Sequence, residues 1–304
     1  MDLPYNDYGQ WLKKRFHYRV QKLPVDAGFS CPNRDGSISF GGCTFCNNQS
    51  FSPPYCKRGH SVAQQIEEGK KFFGRKSHDM KYLVYFQSYT NTYADVKTLM
   101  SIYEEALRQA DVVGIVIATR PDCISEALLA ALTDLNRRTL VIVEYGIESA
   151  DNTTLLRINR GHTFEQSVAA VNETHRRGIL VGGHVILGLP GESPDDSLRQ
   201  APLISALPLD FLKIHQLQVI RGTKLAIEYE ANPFHLYSLD EYVELVSQYI
   251  LKLRKDIVIE RFASQVPASL LIAPRWGVKQ QEVTERVICR LKSFSALSQC
   301  CQHD

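Results

Sequence analysis

The chain has no apolar run long enough to cross a bilayer, which takes about 20 consecutive apolar residues as a helix. It has no signal peptide either: Met1-Asp2-Leu3-Pro4-Tyr5 leads straight into polar, basic sequence. Both absences lead us to expect a cytoplasmic protein. Net charge is nearly absent too, since 35 Lys and Arg against 33 Asp and Glu leave +2, so any nucleic-acid surface has to be a local patch. There is no internal repeat, no low-complexity segment and no Gly/Ser-rich linker. What remains is 304 residues of ordinary globular composition, enough for one large domain or a domain with an extension. Eight cysteines stand at irregular spacings, and without export they read as reduced thiols and metal ligands rather than a disulfide framework.

Three of those cysteines lie together in CPNRDGSISFGGCTFC, residues 31–46, as C-x11-C-x2-C. A structural zinc wants four protein ligands. An iron–sulfur cubane has four irons, so Cys31, Cys43 and Cys46 would leave one iron open to a small molecule. A zinc knuckle or three buried thiols would use the same residues. Cys56, Cys123 and Cys289 read as ordinary thiols, and Cys300-Cys301 is too isolated to be a second cluster.

Strand and helix patterns alternate about six times. Strands are expected at 19–25, 81–87, 112–118, 140–145, 180–187 and 211–217. Helices are expected at 62–73, 96–110, 125–135 with a Ser N-cap, 164–177 capped by Thr163, and from Ser193-Pro194 onward. Such alternation argues for α/β with a parallel sheet. The unusual polar and Gly/Pro clusters fall after the strands: Cys31, Ser88–Thr92, Thr119–Asp122, Gly146–Glu148, Gly188–Pro190 and Arg221–Thr223. In (β/α) barrels the C-terminal face carries the active site, and six units rather than eight make a partial barrel, open on one side. The core is expected over 1–223. Residues 224–304 read as a C-terminal α/β extension packed on it, with a helix at 238–254, a short strand at 257–261 and a last helix at 280–293.

The cysteine loop, with its aromatic Phe45 before the last cysteine, resembles the radical S-adenosylmethionine (SAM) enzymes, and CPNRDG…GGCTFCN resembles the YhcC-like branch. The first gap is longer than the usual C-x3-C-x2-C of that superfamily. TRPDC at 119–123 is similar to a run in the catalytic subunit of Elongator. EYGIES at 144–149 and LLRINRGH at 155–162 are similar to a motif shared by Elongator and the coproporphyrinogen dehydrogenase group.

The resemblance implies a partial (β/α)6 TIM-type barrel, a 4Fe–4S cluster on Cys31, Cys43 and Cys46, and SAM on the open iron. It implies that Glu148 contacts the SAM ribose and that Arg160 pairs with its carboxylate, which suits the planar two-point donation of a guanidinium. Phe45 would pack near adenine. His184 stands where relatives have an acid near the ribose. Where many relatives hold the SAM amine with Gly-Gly-Glu, this chain has Gln87–Thr92, so backbone carbonyls and the Ser88 or Thr90 hydroxyls would serve; where relatives have an acid before TRPD, this chain has Ala118. The reaction implied is reductive cleavage of SAM to methionine and a 5′-deoxyadenosyl radical, with flavodoxin or ferredoxin as electron donor.

The implied substrate is RNA, a wobble uridine of tRNA, although no acetyltransferase domain follows the barrel as it does in Elongator. A small molecule or peptide is the alternative. Residues 11–22, WLKKRFHYRVQK, carry five Lys/Arg and no acid among Trp11, Phe16 and Tyr18, a pattern that suits phosphates and stacked bases. It also suits a helix end with core aromatics. Arg275, Lys279, Arg286, Arg290 and Lys292 are further phosphate candidates. Other readings stay open residue by residue. Glu148 can be a core carboxylate paired with Arg160, His184 can belong to the core, and the whole can be a zinc-stabilised RNA-binding protein.

Overall fold

Runs of β-branched and aromatic residues form the parallel strands expected of them. The computed structural model describes residues 3–57, 59–74 and 79–300, with side chains to residue 296. Cys301 and the Cys300 side chain lie outside the described residues. In chain order the elements are β1 (Asn6–Asp7), α1 (Tyr8–Arg15), β2 (Arg19–Val25), α2 (Val62–Phe73), β3 (Met80–Phe86), α3 (Val96–Leu107), β4 (Val112–Thr119), α4 (Glu126–Asn136), β5 (Leu140–Glu148), α5 (Asn152–Arg157) and α6 (Phe164–Arg176). Then follow β6 (Leu180–Leu187), α7 (Pro194–Ser205), β7 (Phe211–Gln216), β8 (Val219–Ile220), α8 (Lys224–Ala231), α9 (Leu239–Leu251), β9 (Val258–Arg261), β10 (Leu271–Ala273) and α10 (Gln280–Cys300).

Eight strands form one sheet in the order β1-β9-β7-β6-β5-β4-β3-β2, every neighbouring pair parallel. The six expected units are β2 to β7. The strand expected in the C-terminal extension, β9, joins this same sheet beside β7, and β1 adds to it. β1 and β2 are the two edges and do not pair, so the barrel is partial. A separate β8–β10 ribbon sits beside it. Caps follow the sequence signals: Ser125 accepts from Leu128 N–H, and Thr163 and Gln166 close a capping box on α6.

Side chains alternate along each strand, so one face of the sheet is read at every second residue. The outer face and its helices bury the main apolar core, Leu23, Val84, Phe86, Ile115, Ile117, Val141 and Val143 among it. The inner face is layered. Its lowest layer is apolar, with Leu83, Val116, Ile142, Phe211 and Val258. The aromatics of α1 close the barrel there: the Trp11 and Tyr8 rings lie 4.8 and 5.7 Å from Phe211, both edge-on, each pair contributing about 0.5–1.5 kcal/mol. Trp11 and Phe16 pack against this inner layer, and Lys22 points into the barrel. Of the basic aromatic stretch, Lys13, Lys14, Arg15, Tyr18 and Arg19 remain on the surface.

Candidate active site

The loop after β2 brings the cysteines to the C-terminal mouth of the barrel. Gly41 and Gly42 both adopt left-handed backbone (φ 80° and 82°), which turns the chain sharply into Cys43. The loop is strapped down by the segment after α5. Thr44 N–H donates to the Ile158 carbonyl at 2.9 Å, and Asn159 Nδ2 donates to the Gly42 carbonyl at 2.9 Å. Asn159 Oδ1 accepts from Ser39 Oγ at 3.1 Å, while Asn33 Nδ2 donates to the Asn159 carbonyl. Asn159 itself has φ 53°, a conformation asparagine tolerates better than most residues.

Cys31, Cys43 and Cys46 all line one cavity of about 250 Å³. Amide and guanidinium donors face the sulfurs: Asn33 Nδ2 and Arg160 Nη1 each lie 3.5 Å from Cys43 Sγ, and Asn48 Nδ2 lies 3.8 Å from Cys46 Sγ. Burial, with the neighbouring Cys43 thiolate, pushes the Cys46 thiol up to about 11. Cys43 is buried and Cys31 and Cys46 half-buried, and the N–H donors aimed at Cys43 and Cys46 suit thiolates held around a cationic centre. Among the described residues no three His, Cys, Asp or Glu side chains converge on a single ion. A cubane spreads its thiolates over separate irons, and this donor set fits it.

The second half of the cavity is built by the end of β5. Pairing with β6 slips a register between Gly146 and Glu148, and Glu148 has φ 68°, rare for a non-glycine residue. The slip turns the carboxylate into the cavity. A Cβ on Gly146 would come within 2.5 Å of both Arg160 Nη2 and Glu148 Oε1, so a side chain here would push the ends of both functional side chains out of place. Arg160 Nη2 donates to the Gly146 carbonyl at 2.7 Å and lies 3.5 Å from Glu148, while its Nε is buried without a partner. The sequence alternative of a Glu148–Arg160 pair is thus present, at the long end of ion-pair range, and leaves donor capacity unused. Burial raises the Glu148 carboxyl, opposed by Arg160 and Arg120. His162, which sequence reasoning passed over, sets a ring nitrogen 3.2 Å from the same Gly146 carbonyl.

Of the other expected residues, Phe45, Thr90 and His184 line the cavity. The Thr90 hydroxyl is buried there with no partner. Ser88 is not on the cavity wall: its hydroxyl sits 3.2 Å from Ser52 Oγ. The intervening Tyr89 (φ 62°) reverses the chain between the two hydroxyls. His184 Nε2 lies 2.9 Å from Glu144 Oε2, and burial, with Lys213 nearby, lowers the imidazole to about 4, so it is neutral near pH 7.

Beneath the cavity lies a charged layer that sequence reasoning did not find. Glu144 accepts from Lys22 at 2.7 Å and from Lys213 at 2.5 Å, and Glu260 lies 2.5 Å from Lys22 and 3.2 Å from Lys213. Lys213 also donates to the Tyr85 hydroxyl at 3.0 Å. These residues come from five strands, each one step above the apolar layer. Burial pulls Lys213 down to about 8 despite its carboxylates. For Lys22 burial acts in the same direction, but Glu144 and Glu260 together outweigh it and hold the ammonium charged. The late basic residues are partly engaged elsewhere: Arg286 meets Asp240 and Glu282, and Arg290 meets Glu244.

Comparison with known proteins agrees with this geometry. Residues 33–199 match the radical SAM superfamily, and residues 209–293 match the radical SAM C-terminal domain. The chain is 37% identical to YtqA of Bacillus subtilis over 279 residues, 92% of this chain and 87% of that protein. It is 35% identical to YhcC of Escherichia coli over 272 residues, 89% and 87% of the two. Among solved structures, Elp3 of Methanocaldococcus infernus, truncated at its N-terminus, superposes with TM-score 0.67 at 19% identity, over 91% of this chain and 64% of that one. Methylornithine synthase, PylB, superposes with TM-score 0.51 at 15% identity, over 91% and 82%. The strapped cysteine loop, the slipped end of β5 and the curled parallel sheet are therefore those of a member of the radical SAM superfamily, and within it the chain belongs to the family of YhcC and YtqA.

Proposed function

We propose that this protein is a radical SAM enzyme that modifies tRNA at a wobble uridine. The observation that carries the enzyme reading is the convergence of Cys31, Cys43, Cys46, Thr90, Glu148 and Arg160 on one cavity wall. A 4Fe–4S cluster with SAM on its open iron would, when bound, supply the electron for reductive cleavage of SAM. The chain's own residues bind and orient. Cys31, Cys43 and Cys46 would hold three irons. Arg160, its Nε unpartnered, would take the SAM carboxylate, and Thr90 Oγ1 would accept from the amine. Glu148 would accept from the ribose diol. Phe45 and His184 complete the wall, with His184 neutral and already donating to Glu144. Ser88 has no place in this arrangement. Reducing equivalents would come from a flavodoxin or ferredoxin.

What supports a tRNA substrate is the likeness to a tRNA uridine(34) acetyltransferase of Methanocaldococcus infernus, 29% identical over 178 residues, 58% of this chain and 32% of that protein. That match covers a third of the relative, and acyl transfer is not part of the proposal. Mass spectrometry of tRNA nucleosides from cells with and without this protein tests the substrate. A wobble uridine that loses its substituent, or stops at a precursor, is the expected result. An unchanged nucleoside profile would move the search to small molecules and peptides.

A further inference from the structure

Among the described residues, Arg261 is a cation of the charged layer that makes no ion pair. Lys22 and Lys213 share Glu144 and Glu260. Arg261, the last residue of β9, lies in the same layer, opposite Lys213 across a register slip. Among the described residues no ion pair reaches it. Its recorded side-chain contact is Nη2 to His215 Nε2 at 3.5 Å, and its Nε is buried with no partner. Lys22, Lys213 and Arg261 thus stand against Glu144 and Glu260, one positive charge in excess. His184, His215, Tyr85 and Tyr8 are the other titratable groups facing the layer; burial lowers both imidazoles and raises both phenols, so none supplies the missing negative charge. Arg261 is half-buried with its Nε out of solvent, and an anion entering the cavity that Arg261 and His215 both line would balance the excess charge and take up the idle donor.

We propose that Arg261, with His215 behind it, receives an anionic group of the substrate, a carboxylate or a phosphate. This deepens the tRNA reading and rests on it for the identity of the molecule, though not for the existence of the site. Planar two-point donation suits either anion. Glu260, the preceding residue, faces away toward Lys22 and Lys213 and does not compete for the guanidinium. The site is distinct from that expected for the SAM carboxylate, which falls to Arg160 on the segment after α5.

The test uses the anaerobically reconstituted protein in low-chloride buffer, titrated calorimetrically with acetate and with inorganic phosphate. Wild type should bind at least one of them, and the preferred probe identifies the anion class. Arg261→Gln should weaken that binding at least tenfold, and Arg261→Lys should fall between. Arg137→Gln, which removes an exposed arginine paired with Asp134, should not alter it. If Arg261→Gln melts far below wild type, the Arg261→Lys comparison carries the test. Equal affinities in wild type and the Arg261 variants would overturn the proposal. So would absence of binding to wild type, or displacement of the probe by SAM. Loss of anion binding in Arg261→Gln without any tRNA phenotype would keep the site and remove the tRNA reading.

Discussion

Replacing Glu144 by Gln removes the carboxylate that meets Lys22 at 2.7 Å, Lys213 at 2.5 Å and His184 at 2.9 Å, while keeping size and shape. Two buried ammoniums are left with Glu260 alone. Breaking a buried pair by removing one partner costs about 3–5 kcal/mol. Because Glu260 still lies 2.5 Å from Lys22 and 3.2 Å from Lys213, we take the lower end, about 3 kcal/mol. Unfolding entropy near 60 °C is about 2.1 cal/mol/K per residue, so for 304 residues the melting point should fall by about 5 °C. Circular dichroism melts at matched iron content read this directly. Lys213 is already pulled down to about 8 by burial, so Lys213→Met in the Glu144→Gln background removes the cation left short of a partner. The double variant should recover more than half of the loss. A Glu144→Gln melt within 1 °C of wild type (roughly half a kcal/mol), or a double variant worse than the sum of its singles, would refute the charged-layer argument.

Four further outcomes follow from the same geometry. Gly146→Ala should weaken SAM binding while leaving the far-ultraviolet spectrum intact, because the new Cβ would displace the ends of Arg160 and Glu148, both within 2.5 Å of it; a normal SAM titration would contradict this. Arg160→Gln should weaken SAM binding at least tenfold, on the scale of about 2 kcal/mol for a charge-assisted hydrogen bond, with Arg160→Lys recovering only part. Asn159→Ala removes two side-chain bonds to the cysteine loop at a left-handed position, so reconstituted protein should lose iron faster in air than wild type, whereas Asn159→Gly, which relaxes the backbone, should melt higher than the alanine variant. His184 is held near 4 against an ordinary 6.5, so the unfolded chain binds the extra proton between those values; stability is full above pH 6.5 and falls as pH drops through that window, by up to about 3 kcal/mol, a fall that His184→Gln should reduce in urea titrations.

Much of the barrel was legible because buried parallel strands are continuous apolar runs and their helices carry explicit caps. Val112–Thr119 and Leu180–Leu187 are such strands, and Thr163 and Ser193 such caps. The cysteines stood out by their spacing and Glu148 by its place after a strand, while the roles of Glu148 and Arg160 came from the family resemblance. The charged layer was harder, since each member is one polar residue inside an apolar strand: Lys22 in RVQKLPV, Glu144 in LVIVEYGIE, Lys213 in FLKIHQ and Glu260 in VIER. Counting every second residue on each strand would have put them on one face, but only the strand registers bring them to one level. Ser88 and Thr90 were inseparable by type, and the left-handed Tyr89 between them decides which faces the cavity. The aromatics of residues 11–22 carried two meanings at once. For Trp11 and Phe16 packing against the inner apolar layer is what the fold shows, and it leaves Tyr18 and the outer basic residues for a partner.

The central claim is that three thiolates grip a cubane and leave one iron for SAM. Anaerobic reconstitution followed by dithionite and SAM, with iron, sulfide and 5′-deoxyadenosine quantified together, tests it most directly. Four irons and four sulfides per chain (roughly one cubane), 5′-deoxyadenosine formation, and loss of both on replacing Cys31, Cys43 or Cys46 by Ala are expected. A colourless zinc protein, or a full cluster that yields no 5′-deoxyadenosine, would contradict it.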